Sequence, residues 1–134
     1  MSPRAARPAD PRRQRAEGRG RRAEAIAAWF LRLKFYRILA RRYRTPVGEI
    51  DLIVRRGRTI VFVEVKQRAS QTEGLDAVTT TARRRIARAA EVWIAAHPVA
   101  AAFDQRFDVV IALPRRLPLH LTGVFGSGGK SWAP

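Results

Sequence analysis

Apolar and polar positions follow two different periods along this chain. Between residues 22 and 34, Ile26, Trp29, Phe30 and Leu33 recur at the i, i+3, i+4, i+7 spacing of one helix face, and Ala27, Ala28 and Leu31 widen it. The spacing predicts a helix with that face turned to the core. Tyr36 to Arg44 (YRILARRYR) reads as a strand, Thr45-Pro46-Val47-Gly48 as a turn, and Ile50 to Val54 as a second strand. Thr59 to Lys66 (TIVFVEVK) is the strongest strand, rich in β-branched residues. Arg55-Arg56-Gly57-Arg58 joins it tightly to the strand before, so the two should pair as a hairpin. Gln67 to Thr79 is mostly polar and reads as a loop. A second helix is expected from Thr80 to His97, with Ile86, Ala89, Ala90, Trp93 and Ile94 as its stripe and Pro98 as its stop. Phe107 to Ala112 (FDVVIA) is a buried strand, and Leu117 to Leu121 is a candidate for one more. The order α-β-β-β-α-β predicts an α/β fold, a central mixed sheet with helices on its faces.

The ends have a different composition. Residues 1–20 are rich in Pro, Arg and Gly and read as a disordered basic arm, residues 21–125 as the folded domain, and the Gly/Ser-rich residues 126–134 as a flexible tail. The 134 residues fit one domain. The absence of cysteine excludes a disulfide scaffold, a cysteine-ligated zinc site and a thiol nucleophile. His97 and His120 lack metalloprotease spacing. No apolar run approaches the roughly 20 residues of a membrane helix, and no apolar segment follows the basic N-terminus at signal-peptide distance. A cytoplasmic protein with no membrane partner is the expectation.

Charge narrows the partner. Lys and Arg number 27 against 11 Asp and Glu, a net +16, which favours polyanions such as DNA, RNA or an anionic membrane without choosing among them. Eight arginines against Asp10 and Glu17 place +6 of this in the first 22 residues, so +10 belongs to the rest. Arg83, Arg84, Arg85 and Arg88 lie mainly off the apolar stripe of the second helix and are candidates for phosphate contacts. A solvated helix face is the plain alternative.

Three of the scarce acids crowd onto the two most apolar strands. Strand alternation puts Glu49 and Asp51 on one face, with Ile50, Leu52 and Val54 on the other. It puts Glu64 and Lys66 with Phe62, opposite Val61, Val63 and Val65. Normal hairpin pairing would bring Asp51, Glu64 and Lys66 to one patch. Two carboxylates on adjacent strands suit Mg²⁺ or Mn²⁺, hard cations that prefer oxygen ligands. A lysine beside them can orient a water and offset charge on a scissile phosphate. An ordinary ion pair on a solvated sheet face accounts for the same residues.

Gly48-Glu49-Ile50-Asp51-Leu52-Ile53 followed by Glu64-Val65-Lys66 in VFVEVK resembles the YraN-like family, small bacterial proteins with a restriction-endonuclease-like core of the PD-(D/E)xK superfamily. The resemblance spans about residues 20–125 and includes Glu24, Ala27, Phe30 and Leu31, Tyr36-Arg37-Ile38-Leu39, Arg106-Phe107-Asp108-Val109-Val110 and His120. It implies that Asp51 is the first acid of the motif, Glu64 the second and Lys66 its lysine. It also implies that Glu24 matches a helix glutamate used near the metal by related resolvases; a solvated glutamate near a helix N-terminus is the other reading. Ala23 and Phe35 stand where glycines are usual, Arg42 where Asn is usual, and Gly123-Val124 where Asn-Ala is usual.

The expectation is therefore a Mg²⁺- or Mn²⁺-dependent endonuclease hydrolysing phosphodiester bonds of DNA, branched or structured DNA included. Asp51, Glu64, Lys66 and Glu24 would be its catalytic residues, with Asp51 and Glu64 as metal ligands. The alternative is a non-catalytic nucleic-acid-binding module that keeps the fold. A homodimer is compatible with either. His120 reads as a structural histidine, and Asp108 as a partner of Arg106 or of a helix residue.

Overall fold

The computed structural model describes residues 11–70 and 80–125. Helix α1 (Pro11–Leu33) leads into three consecutive antiparallel strands, β1 (Arg37–Thr45), β2 (Gly48–Arg56) and β3 (Thr59–Gln67). Helix α2 (Thr80–Ala96) and a 3-10 turn (Pro98–Ala102) then carry the chain across to β4 (Asp104–Ala112). β4 runs parallel to β3, and β5 (Leu119–Phe125) returns antiparallel beside it. The spatial order is β1-β2-β3-β4-β5. A parallel pair needs a crossover connection, and α2 supplies it. The expected α/β architecture with a mixed sheet is the one that forms.

Both faces of the sheet are covered, which is why β3 is apolar on both sides. One face packs on α2: Ile53, Phe62, Phe107, Val109 and Ile111 gather around Ile86 and Trp93. The Phe62 ring lies 5.2 Å from Phe107 and 5.9 Å from Trp93. The other face packs on α1: Leu52, Val54, Val61, Val63 and Val110 meet Ala27, Ala28 and Leu31. No helix among the described residues is long and apolar enough to cross a membrane.

Helix α1 departs from expectation in two ways. It begins at Pro11, so residues 11–20 are helical where an unordered arm was expected. Arg, Ala, Gln and Glu dominate that stretch, and all favour helix. Residues 1–10 and 126–134 lie outside the described residues. The buried face is also only part of the expected one: Ala27, Ala28 and Leu31 are buried as expected, but the Ile26, Trp29 and Leu33 stripe is not. Ala23 and Glu24 join the three buried residues on the side facing the sheet, whereas Ile26, Trp29 and Leu33 are exposed. Small side chains let the helix backbone approach the strands closely, and the bulky stripe is left outside.

Candidate functional site

The site begins with a break in strand alternation. Ile50 packs on the α2 face, yet Leu52 and Val54 pack on the α1 face, so the expectation that all three share a face is corrected. The flip falls at Asp51. Across the β1–β2 ladder, Arg41 partners Leu52 and Tyr43 partners Ile50, which sets Arg42 opposite Asp51. Arg42 has a left-handed backbone, φ 49°. The two strands therefore bend together, and the side chains of Arg42 and Asp51 reach a cleft beside α1.

The second cause is strand divergence. The β2–β3 ladder runs from Arg56–Thr59 to Leu52–Val63, and beyond it the strands part. In the gap, Asp51 Oδ2 accepts the Val65 N–H at 2.7 Å, replacing the strand partner that β2 no longer offers. This bond uses one carboxylate oxygen and leaves Oδ1 for a further ligand. The resulting cleft of about 310 Å³ is lined by Gly20, Arg21 and Glu24 from α1, Arg42 and Arg44 from β1, Glu49, Ile50 and Asp51 from β2, and Val65 from β3.

Electrostatics single out Asp51. Burial pushes its carboxyl up to about 6; the Val65 N–H opposes this, and the charges of Glu64, Glu49 and Glu24 add to the rise. The acids reach Asp51 from both faces of the sheet. Glu24, buried on α1, accepts from Arg42 Nε at 2.7 Å. It sits in mid-helix rather than in a solvated first turn, which corrects that reading of the residue. Glu64 shares the face of Phe62 by alternation and pairs with Lys66 at 2.7 Å. Glu64 and Lys66 flank Val65 but stand outside the lining of the cleft.

Asp51 and Glu64 therefore come near enough to act on each other, and Lys66 is held beside Glu64. No group of three or more His, Asp or Glu placed to hold one metal ion occurs among the described residues. The donor set, carboxylate oxygens without nitrogen or sulfur, fits a hard cation such as Mg²⁺, which keeps several waters and is commonly held by one or two carboxylates. Arg42, Arg21 and Arg44 were not singled out as site residues by sequence. The signal for Arg42 was its register opposite Asp51, readable only once the β1–β2 pairing is known.

The arginines of α2 stand near this end of the sheet. Arg84, Arg85 and Arg88 are exposed and Arg83 is half-buried. The helix is set by Gly48: a β-carbon there would lie 2.0 Å from the Arg85 carbonyl oxygen. The first residue of the GEID segment must therefore be glycine for α2 to cross where it does.

A second polar cluster lies away from the cleft. Asp108 is fully buried on β4, and Arg106 grips it with two bonds of 2.8 Å. His120 Nε2 lies 2.7 Å from Asp108 Oδ2, and Gly123 N–H donates to Oδ1 at 3.0 Å. Burial alone would push the Asp108 carboxyl up; the bonds from His120, Arg106 and Gly123 outweigh it and hold the carboxyl below its usual value. Lys34 Nζ lies 2.7 Å from His120 Nδ1. An ammonium has no acceptor, so Nδ1 accepts and Nε2 donates. The cluster ties the end of α1 to β4 and β5, which agrees with a structural His120 and an Arg106-paired Asp108.

A mixed five-stranded sheet between helices, with the acids of a splayed hairpin at one end, defines an α/β protein with a nuclease-like core. The chain belongs to the uncharacterised protein family UPF0102, whose model matches residues 23–112. A UPF0102 protein of Methylorubrum extorquens (strain PA1) is 52% identical over 120 residues, covering 88% of this chain and 94% of its own. One from Chelativorans sp. (strain BNC1) is 50% identical over 115 residues, covering 86% and 93%. One from Bradyrhizobium diazoefficiens is 50% identical over 117 residues, covering 87% and 88%. The matched span contains Glu24, Asp51, Glu64 and Lys66.

Proposed function

We propose that this protein is a metal-dependent endonuclease that hydrolyses phosphodiester bonds of DNA at the cleft beside Asp51. The observation that carries the reading is the placement of Asp51. Its carboxylate is partly buried in the gap between β2 and β3, with its pKa pushed up to about 6 and acids approaching from both faces. Such a group is unfavourable by itself and becomes favourable beside a cation. Asp51 and Glu64 would supply oxygens to Mg²⁺ or Mn²⁺. The ion would provide a Lewis acid for a phosphate oxygen and a lowered pKa for water.

The chain's own groups do the rest. Lys66, held at Glu64, would supply the positive charge that orients a water and offsets charge growing on the phosphate. Arg21, Arg42 and Arg44 line the cleft and present guanidinium groups to a phosphate backbone. Arg83, Arg84, Arg85 and Arg88 extend the positive surface, and the net +16 favours encounter with a polyanion. The test is a cleavage assay with Mg²⁺ or Mn²⁺ on duplex, single-stranded and branched DNA. Wild type should cut at least one of these, and Asp51→Asn and Lys66→Ala should not. Equal cutting by wild type and both variants, or no cutting at all, overturns the reading.

A non-catalytic nucleic-acid-binding module is the second reading. It draws support from the arginines that line the cleft and the exposed arginines of α2, which can hold phosphates without a metal. Salt-sensitive DNA binding that is indifferent to Mn²⁺ and to Asp51→Asn would favour it.

A further inference from the structure

The outer face of α1 carries side chains that neither the core nor the cleft uses. Ile26, Trp29 and Leu33 lie on the side away from the sheet, with Trp29 54% and Leu33 58% exposed. Just past the helix end, Phe35 is 87% exposed. Its backbone is left-handed at φ 69°, a region glycine enters freely and an aromatic residue does not. Phe35 N–H donates to the Arg32 carbonyl and Tyr36 N–H to the Leu31 carbonyl, the bond pair of a Schellman stop. That stop uses backbone atoms only, so the fold gains nothing from the ring.

Charge indicates what covers this face. From residue 20 onward, every exposed charged side chain on α1 is an arginine: Arg21, Arg22 and Arg32. A partner must be anionic and must also offer flat apolar surface. Arg21 lines the cleft as well, so the basic edge of the face runs into the candidate site. We propose that the outer face of α1, through Trp29 and Phe35, stacks unpaired bases of a nucleic-acid strand whose phosphates follow the arginines. Stacking on aromatic rings tolerates any base, because every base has a π face. The inference rests on the nucleic-acid part of the function proposed above and not on cleavage.

The experiment is fluorescence anisotropy on the full chain in EDTA with two labelled probes. One is a single-stranded oligonucleotide; the other is an abasic strand of equal length, which keeps the phosphates and lacks the bases. Wild type should bind the first about tenfold more tightly or better. Trp29→Ala and Phe35→Gly should each remove most of that margin and leave abasic binding unchanged. Phe35→Gly should raise the melting temperature at the same time, so its lost affinity does not come from misfolding. Equal affinity of wild type for both probes, or equal loss on both in the variants, overturns the proposal. So do two other results in the absence of base-dependent binding: self-association lost in Trp29→Ala, or binding to phosphatidylglycerol vesicles lost in Trp29→Ala. These would give the face to a second copy or to an anionic bilayer. A wild type that binds bases in this way yet cleaves nothing with Mn²⁺ keeps this surface and removes the nuclease reading.

Discussion

Arg42 and Glu24 form an ion pair of 2.7 Å across the cleft, with the Glu24 side chain 10% exposed and that of Arg42 38% exposed. The pair joins the bent part of β1 to the middle of α1, at the point where Asp51 enters the cleft. Arg42 thus provides, within the chain, positive charge beside the buried Glu24 and opposite Asp51.

Removing Arg42 should expose that role. In Arg42→Ala the buried Glu24 carboxylate keeps its place without its partner, which costs about 1–3 kcal/mol. The melting temperature should fall accordingly. Added Mn²⁺ should recover more of that loss in Arg42→Ala than it adds to wild type, because a bound cation stabilises the folded state by mass action. Thermal unfolding with and without Mn²⁺ measures both. The double variant Arg42→Ala, Asp51→Asn should lose the recovery. An equal Mn²⁺ response in wild type and Arg42→Ala would separate Arg42 from the ion site.

Asp51 should make the protein less stable as pH rises. Its pKa is about 6 in the folded state against 3.8 ordinarily, so it binds its proton more tightly when folded. The stability from that proton is fully present below pH 4 and is lost as pH climbs through 6. The whole shift corresponds to a ceiling of about 3 kcal/mol. Asp51→Asn keeps an acceptor for Val65 N–H and has nothing to ionise. Urea unfolding should find the variant close to wild type at pH 4 and more stable by about 1–2 kcal/mol at pH 7.5. A constant difference across that range would mean that Asp51 titrates normally.

Gly48 should tolerate no side chain. The β-carbon of Gly48→Ala would sit 2.0 Å from a backbone oxygen of α2, so a helix rather than a side-chain tip must move. The expected loss is about 2–3 kcal/mol, at the upper end for an overpacked core. Because α2 carries Arg84, Arg85 and Arg88, DNA affinity should drop at temperatures where the variant is still folded. Unfolding curves and binding at low temperature separate the two effects. Binding identical to wild type would show that the position of α2 does not matter to it.

The parts of this fold that are legible in sequence are those fixed by local chemistry. TIVFVEVK can hardly be anything but an internal strand, and Pro98 stops its helix wherever the helix packs. Periodicity also found an apolar stripe on α1, but it could not say which of two faces meets the sheet. Ala23, Ala27, Ala28 and Leu31 share a face as surely as Ile26, Trp29 and Leu33 do, and close approach of the backbones favours the alanines. The acids of the hairpin were visible, whereas the bend that aims Asp51 was not. That bend needs a left-handed residue at Arg42, and arginine gives no hint of one. The family resemblance hinted at it: Asn, usual at that position, tolerates the left-handed region, as does the glycine usual where Phe35 stands. The contact of Gly48 with Arg85 is purely tertiary, and no local pattern contains it.

The buried Asp108 cluster should govern acid stability in the opposite sense to Asp51. Burial would raise the Asp108 carboxyl, but the bonds from His120, Arg106 and Gly123 hold it below its ordinary value. Its contribution is therefore present above about pH 4, the unfolded value, and disappears as pH falls through the folded value. Asp108→Asn removes the charge that pairs with Arg106 while nearly keeping the shape, and leaves a partly buried guanidinium with a weaker partner. The expected loss is about 3 kcal/mol at pH 7, as for breaking one side of a buried pair. As pH falls below about 4 toward the folded value, the gap between variant and wild type should narrow, since wild-type Asp108 progressively takes up its proton. Urea unfolding of both proteins at pH 7 and pH 2.5 checks this. A deficit of the same size at both pH values would mean that shape, and not the carboxylate charge, holds β4, β5 and the end of α1 together.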